Sequence, residues 1–145
     1  MSNSSQTILE ALKNANPNWS CGVDAVDEGE RVYTGFQCGF NGKELRVLVS
    51  FVTESSDLTV SRIDFSFDGA EPVKCSDRDK GLQVCNKLNN YVNAFYTFGI
   101  KDDNSLFAKC VFPPEIDKGR FAVLLYSLFV HQFKEVYCDE LAKCL

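Results

Sequence analysis

Apolar residues recur along this 145-residue chain in two periods, and the switches between them mark out its elements. Near the start, Ile8, Leu9 and Leu12 share one face of a helical repeat that Ser5 can cap and that must end by Asn16, because Pro17 follows. Trp19 to Glu30 combines two glycines with four acids (Asp24, Asp27, Glu28 and Glu30), which predicts a loop with at most a short extended piece around Val23 to Val26 and its acids in water. The period then becomes two. Val32, Thr34, Phe36, Cys38 and Phe40 alternate with Tyr33, Gly35, Gln37 and Gly39, the pattern of a half-buried strand. Asn41-Gly42 tolerates positive φ and favours a two-residue hairpin. The return strand is Lys43 to Val52, with Leu45, Val47, Val49 and Phe51 on one face and Leu48 and Val52 on the other. After the polar turn Glu54-Ser55-Ser56-Asp57, a third strand from Leu58 to Phe67 puts Ile63, Phe65 and Phe67 on one side.

Asp68-Gly69 and Pro72 end this sheet, and Ser76 with Asp79 three residues on resembles a capping box. In the helix that follows, Val84, Cys85, Leu88, Tyr91 and Val92 form one buried stripe and Asn86, Lys87, Asn89 and Asn90 the polar face. Tyr96 to Lys101 and Leu106 to Phe112 alternate on either side of Asp102-Asp103-Asn104-Ser105, a turn of residues that bond their own backbone. Pro113-Pro114 blocks extension. Asp117 can cap a last helix in which Phe121 to Leu128 is apolar almost all round the axis, so its first turns should be covered from more than one direction. Beyond Val130, Phe129, Phe133, Val136 and Tyr137 hold one face and Lys134, Glu135, Asp139 and Lys143 the other. The order α-β-β-β-α-β-β-α packs most simply as a single α+β domain, one antiparallel sheet with helices on one face.

Composition narrows the function. A net charge of −5 and a pI near 4.9 oppose binding to nucleic-acid phosphates or anionic lipid. Met1 to Gln6 is polar, without the pattern of a signal peptide, and the longest apolar run is about half a bilayer span, so a cytoplasmic protein is expected. The seven cysteines are odd in number and lack C-x-x-C spacing, which predicts free thiols. Cys38, Cys85 and Cys110 stand where small core residues belong.

Candidate chemistry is thin. His131, the sole histidine, is about 10.5 Å along a helix from Cys138, too far for a nucleophile and its base, although Glu135 could bond its ring. Asp102 and Asp103 lack the spacing of a calcium loop. Cys138 and Cys144 point about 120° apart on a helix, and there is no phosphate-cradling glycine loop or G-x-S-x-G elbow. No catalytic, cofactor-binding or metal-binding residue is identified.

Asn86-Lys87-Leu88-Asn89-Asn90, then Phe98-Gly99-Ile100-Lys101-Asp102-Asp103-Asn104-Ser105-Leu106, then Lys109 to Pro113 before a closing helix resembles the YbjN family of sensory-transduction regulators, itself similar in fold to class I type III secretion chaperones. The resemblance implies a non-enzymatic cytoplasmic protein that forms a homodimer and binds a protein segment on apolar helix and sheet surface. From the residues, Tyr33, Leu48, Val52, Phe107 and Val111 become a partner-binding patch if all lie on the sheet face away from the helices; otherwise loops cover them. The competing readings are a small-ligand-binding regulatory domain on the same scaffold and a small enzyme of unrecognised type.

Overall fold

The alternation of Val32 to Phe40 and Lys43 to Val52 is realised as a long hairpin that frames the sheet. The computed structural model describes residues 1–40, 42–54, 59–67, 71–90, 96–112 and 116–144, with backbone alone for Glu54, Phe67, Phe112, Lys134 and Glu135. Asn41, residues 55–58, Asp68-Gly69, Tyr91, Val92 and Pro113-Pro114, all named above, lie outside the described residues. Strands β1 (Cys21–Val26), β2 (Gly29–Phe40), β3 (Lys43–Glu54), β4 (Thr59–Phe67), β6 (Thr97–Ile100) and β7 (Leu106–Phe112) form an antiparallel sheet in the order β1-β2-β3-β4-β7-β6. The short β5 (Glu71–Pro72) pairs with the end of β4.

The fold is α+β, with the expected sequence of elements and two strands added to it. β5 is one addition and β1 the other, a full strand where the loop was expected to hold at most a short extended piece around Val23 to Val26. Cys21, Val23 and Ala25 alternate there as a strand requires, and Asp24 is accommodated because Arg31 faces it across the register. The turn is Asp27-Glu28, followed by Gly29 at φ 149°, a conformation that strongly favours glycine.

Helix α1 (Asn3–Ala15) is capped by Ser2 rather than Ser5. The Ser2 hydroxyl accepts from the Ser5 N–H at 3.2 Å, and Ser5, a turn further in, is buried beside Ile8 and Leu12. Helix α2 (Arg78–Asn89) is capped one residue later than expected, by Asp77, whose carboxylate accepts from the Lys80 N–H. The Ser76 N–H instead meets the Cys144 carbonyl at 3.2 Å. Helix α3 (Lys118–Gln132) does start at Asp117, which accepts from the Arg120 N–H. Gly119 lies where α1 crosses: a Cβ there would stand 2.9 Å from the Ala11 Cβ, so a larger residue would wedge the two helices apart.

After Gln132 the chain passes through one wide π turn, Phe133–Tyr137, into α4 (Cys138–Ala142). The buried residues Phe129, Phe133, Tyr137 and Leu141 are spaced by four throughout. In an unbroken α-helix Leu141 would lie about 120° round from Phe129. The extra residue taken up by the wide turn cuts this to about 20°, keeping one face on the core.

The core lies between the helices and one sheet face. Phe129 packs near Phe36, Phe65, Tyr96, Phe133 and Tyr137, with ring centroids between 5.4 and 6.3 Å away. Replacing such a side chain by alanine costs about 3–5 kcal/mol. The all-round cover expected for α3 is not found. Ala122, Leu125, Tyr126 and Phe129 are buried, but Leu124 is 46% exposed and Phe121 and Leu128 are half-buried, which leaves an apolar ridge along the helix at i, i+3 and i+7.

Candidate protein-binding surface

Strand alternation sends every second side chain away from the helices, and register then decides which of them become neighbours. One row across this outer face reads Gly35, Leu48, Asp64, Phe107, Gly99, and a second reads Arg31, Val52, Val60, Val111. Tyr33 stands in the row between them with Ser50, Arg62 and Lys109. All five residues singled out from the sequence therefore share one face. They do not form one continuous patch.

Asp64 separates Leu48 from Phe107 and is paired to Lys101 at 3.5 Å. Arg62 is 3.7 Å from Glu28. Val52, expected as a contact residue, is only 3% exposed and Val60 is likewise buried, so of that row Val111, at 51% exposure, is what a partner could touch. Two shallow depressions meet at Arg46 and Leu48 in the middle of the face. One of about 420 Å³ runs towards Tyr33 and Gln37, and the other, of about 470 Å³, towards Asp64, Pro72 and Lys101.

The rings of Tyr33 and Phe107 owe their positions to glycines in the outermost strands. A Cβ on Gly22 of β1 would stand 2.4 Å from the Tyr33 ring, and one on Gly99 of β6 would stand 2.6 Å from the Phe107 ring. Each ring thus lies over a neighbour that has no side chain, the arrangement by which aromatics protect strand glycines. Arg31 stacks on Tyr33 at 5.7 Å from the centroid while its Nε donates to Asp24 Oδ1 at 2.8 Å. That bond holds the Asp24 carboxyl below its ordinary value.

The two outermost strands differ in their free main chain. At β6, the Asn89 side chain from the end of α2 donates to the Phe98 carbonyl at 3.0 Å and accepts from the Phe98 N–H at 2.6 Å. Asn89 had read as part of a solvated helix face, and nothing in the spacing of one strand against one helix end marks it out. At β1, no group outside the β1–β2 pair bonds the main chain among the described residues.

Elsewhere the titratable groups serve structure. Asp103 accepts from both the N–H and the hydroxyl of Ser105, at 3.0 and 2.5 Å, which lowers its pKa. Arg78 donates to the Lys101 carbonyl and to Asn104, clamping the same hairpin tip. Glu140 accepts from Lys87 at 2.9 Å and from Lys143 at 3.1 Å, and these bonds lower its pKa. His131 is exposed on α3, and the Glu135 side chain proposed to bond it lies outside what is described.

Among the cysteines, Cys85 is buried as expected, but Cys75 and Cys144 are the other buried thiols, while Cys38 and Cys110 are only half-buried. The Cys144 thiol donates to the Leu141 carbonyl at 3.2 Å. Burial pushes Cys85 up to about 11 and Cys144 up to about 12. No group of three His, Cys, Asp or Glu side chains is arranged to hold a metal, and no helix is long and apolar enough to cross a membrane, among the described residues.

Compared with protein-family models, with curated proteins and with solved structures, the chain has no significant match.

Proposed function

We propose that this chain is a non-enzymatic protein-binding module, chaperone-like or regulatory in the manner of the YbjN family, which acts as a homodimer and holds a segment of another protein on its outer sheet face. The observation that carries the reading is the sheet face turned away from the helices. There Tyr33 and Leu48 line two adjoining depressions, and Phe107 and Val111 are accessible elsewhere on the same face. The α3 ridge of Phe121, Leu124 and Leu128 is a second apolar surface of the same kind.

A photo-crosslinking amino acid at Leu48 is expected to trap a specific protein in a native lysate, and one at Leu82, exposed on α2, is not. Leu48→Asp and Val111→Asp should then weaken binding of the purified partner at least about tenfold, the scale of a central interface contact. Equal labelling from both positions would remove the reading. The size of the depressions also suits a small ligand, and a thermal-shift screen against metabolites with the Leu48→Asp control tests that second reading.

A further inference from the structure

We infer that β1 is a self-association strand: two copies of the chain pair through it, antiparallel, about a two-fold axis perpendicular to the sheet, with Val23 opposite Val23 of the second copy. This rests on the homodimer reading above and assigns its interface.

Unpaired outer strands recruit other strands unless something blocks them. β6 is blocked by Asn89. β1 has no lysine and no proline, it pairs with β2 from Cys21 to Val26 without a bulge, and its one charged side chain, Asp24, is engaged by Arg31 of the neighbouring strand. It is also compatible with itself. A two-fold axis perpendicular to the sheet preserves its faces, so residues of like parity must meet.

Centred on Val23, the pairing sets Cys21 opposite Ala25 of the second copy. The row Cys21, Val23, Ala25 on the helix-covered side is thereby matched to itself, all small or apolar. On the outer side Asp24 meets Gly22 of the second copy, so no carboxylate faces another, and Asp24 already has Arg31 as its counter-charge. Shifting the axis by one residue would put Asp24 opposite Asp24, which like-charge repulsion disfavours. The sheets of both copies then run on as one, with their helices on the same side.

The test combines two measurements on the full chain. Sedimentation of the unaltered protein is expected to give a dimer, and Val23→Lys, which sets two ammonium groups at the axis, is expected to weaken association by about tenfold or more with unchanged circular dichroism. Ala25→Cys places a thiol opposite the native Cys21, at the about 4.5–5.5 Å Cβ separation of directly paired residues. Under copper-phenanthroline, with dioxygen taking the two electrons and two protons of each new disulfide, it should give a covalent dimer. Cys21→Ser/Ala25→Cys should not. Within one strand, residues 21 and 25 are about 13 Å apart and cannot join. A dimer that neither crosslinks nor responds to Val23→Lys would overturn the β1 interface and leave the homodimer standing. A monomer at every concentration would overturn both and leave β1 to a strand of another protein.

Discussion

The two outer strands of this sheet share one device and differ in another. On both, an aromatic ring from the next strand lies over a glycine, Tyr33 over Gly22 and Phe107 over Gly99, so side-chain protection is equal at the two ends. Main-chain protection is not. The end of α2 abuts β6 and its last residue reaches the Phe98 N–H and carbonyl, whereas α1 is laid across β1, β2 and β3 and caps none of their main chain. A helix across a sheet face buries side chains. A helix end brought beside the outer strand can satisfy its peptide groups.

The sharpest contrast is expected in thiol chemistry. At pH 8 Cys144, pushed up to about 12 beneath the β6 side, has about a thousandfold less thiolate than an ordinary thiol, and Cys85 follows at about 11. The half-buried Cys21, Cys38, Cys110 and Cys138 should be alkylated before buried Cys85 and Cys144, which are labelled only on unfolding. Mass spectrometry of a timed iodoacetamide reaction decides this, and early loss of Cys144 would mean that the C-terminal turn opens freely.

Next in size, Asn89→Ala should cost about 2–3 kcal/mol, since it leaves two partly buried main-chain groups unpaired, and should speed hydrogen exchange at Phe98. Asn86→Ala, at an exposed position on the same helix, is the control, and equal losses in a urea titration would break the contrast between the two ends. Tyr33→Ala and Phe107→Ala should each cost about 1 kcal/mol, near the upper range for cross-strand pairs. Unequal values would show that the ring-over-glycine device is not truly shared.

The gentlest effect is on pH dependence. Asp24 is held low by Arg31 and Glu140 by Lys87 and then Lys143. For such depressed groups the added stability is complete above the ordinary carboxylate values of 3.8 and 4.5. It is lost as pH falls through the lower folded values. Asp24→Asn and Glu140→Gln should each flatten the acid limb of a stability profile, measured at low salt.

How much of this was legible in the chain follows from what each feature depends on. The β2–β3 alternation and the Asp117 cap are local, and the residues declare them. β1 was legible only as a short extended piece, because the partner that makes Asp24 tolerable in a strand is seven residues away across an Asp-Glu turn without the usual Asn-Gly signal. The caps of α1 and α2 were misplaced among adjacent candidates, Ser2 and Ser5, Ser76 and Asp77, each chemically able. Parity alone put Tyr33, Leu48, Val52, Phe107 and Val111 on one face, but the interleaving of Asp64 and Arg62 and the burial of Val52 depend on register between strands far apart in sequence. The role of Asn89 depends on where α2 ends in space.

The wide turn at Phe133–Tyr137 makes chain length itself adjustable at that point. Deleting one residue inside it would let the segment tighten to ordinary α-helix while Leu141 and Cys144 kept their bearing on Phe129, whereas the same deletion within α3 would swing everything downstream by about 100°. Homologues one amino acid shorter there are expected to preserve an identical interior, and an alignment gap at this spot would record a neutral event in the history of the molecule.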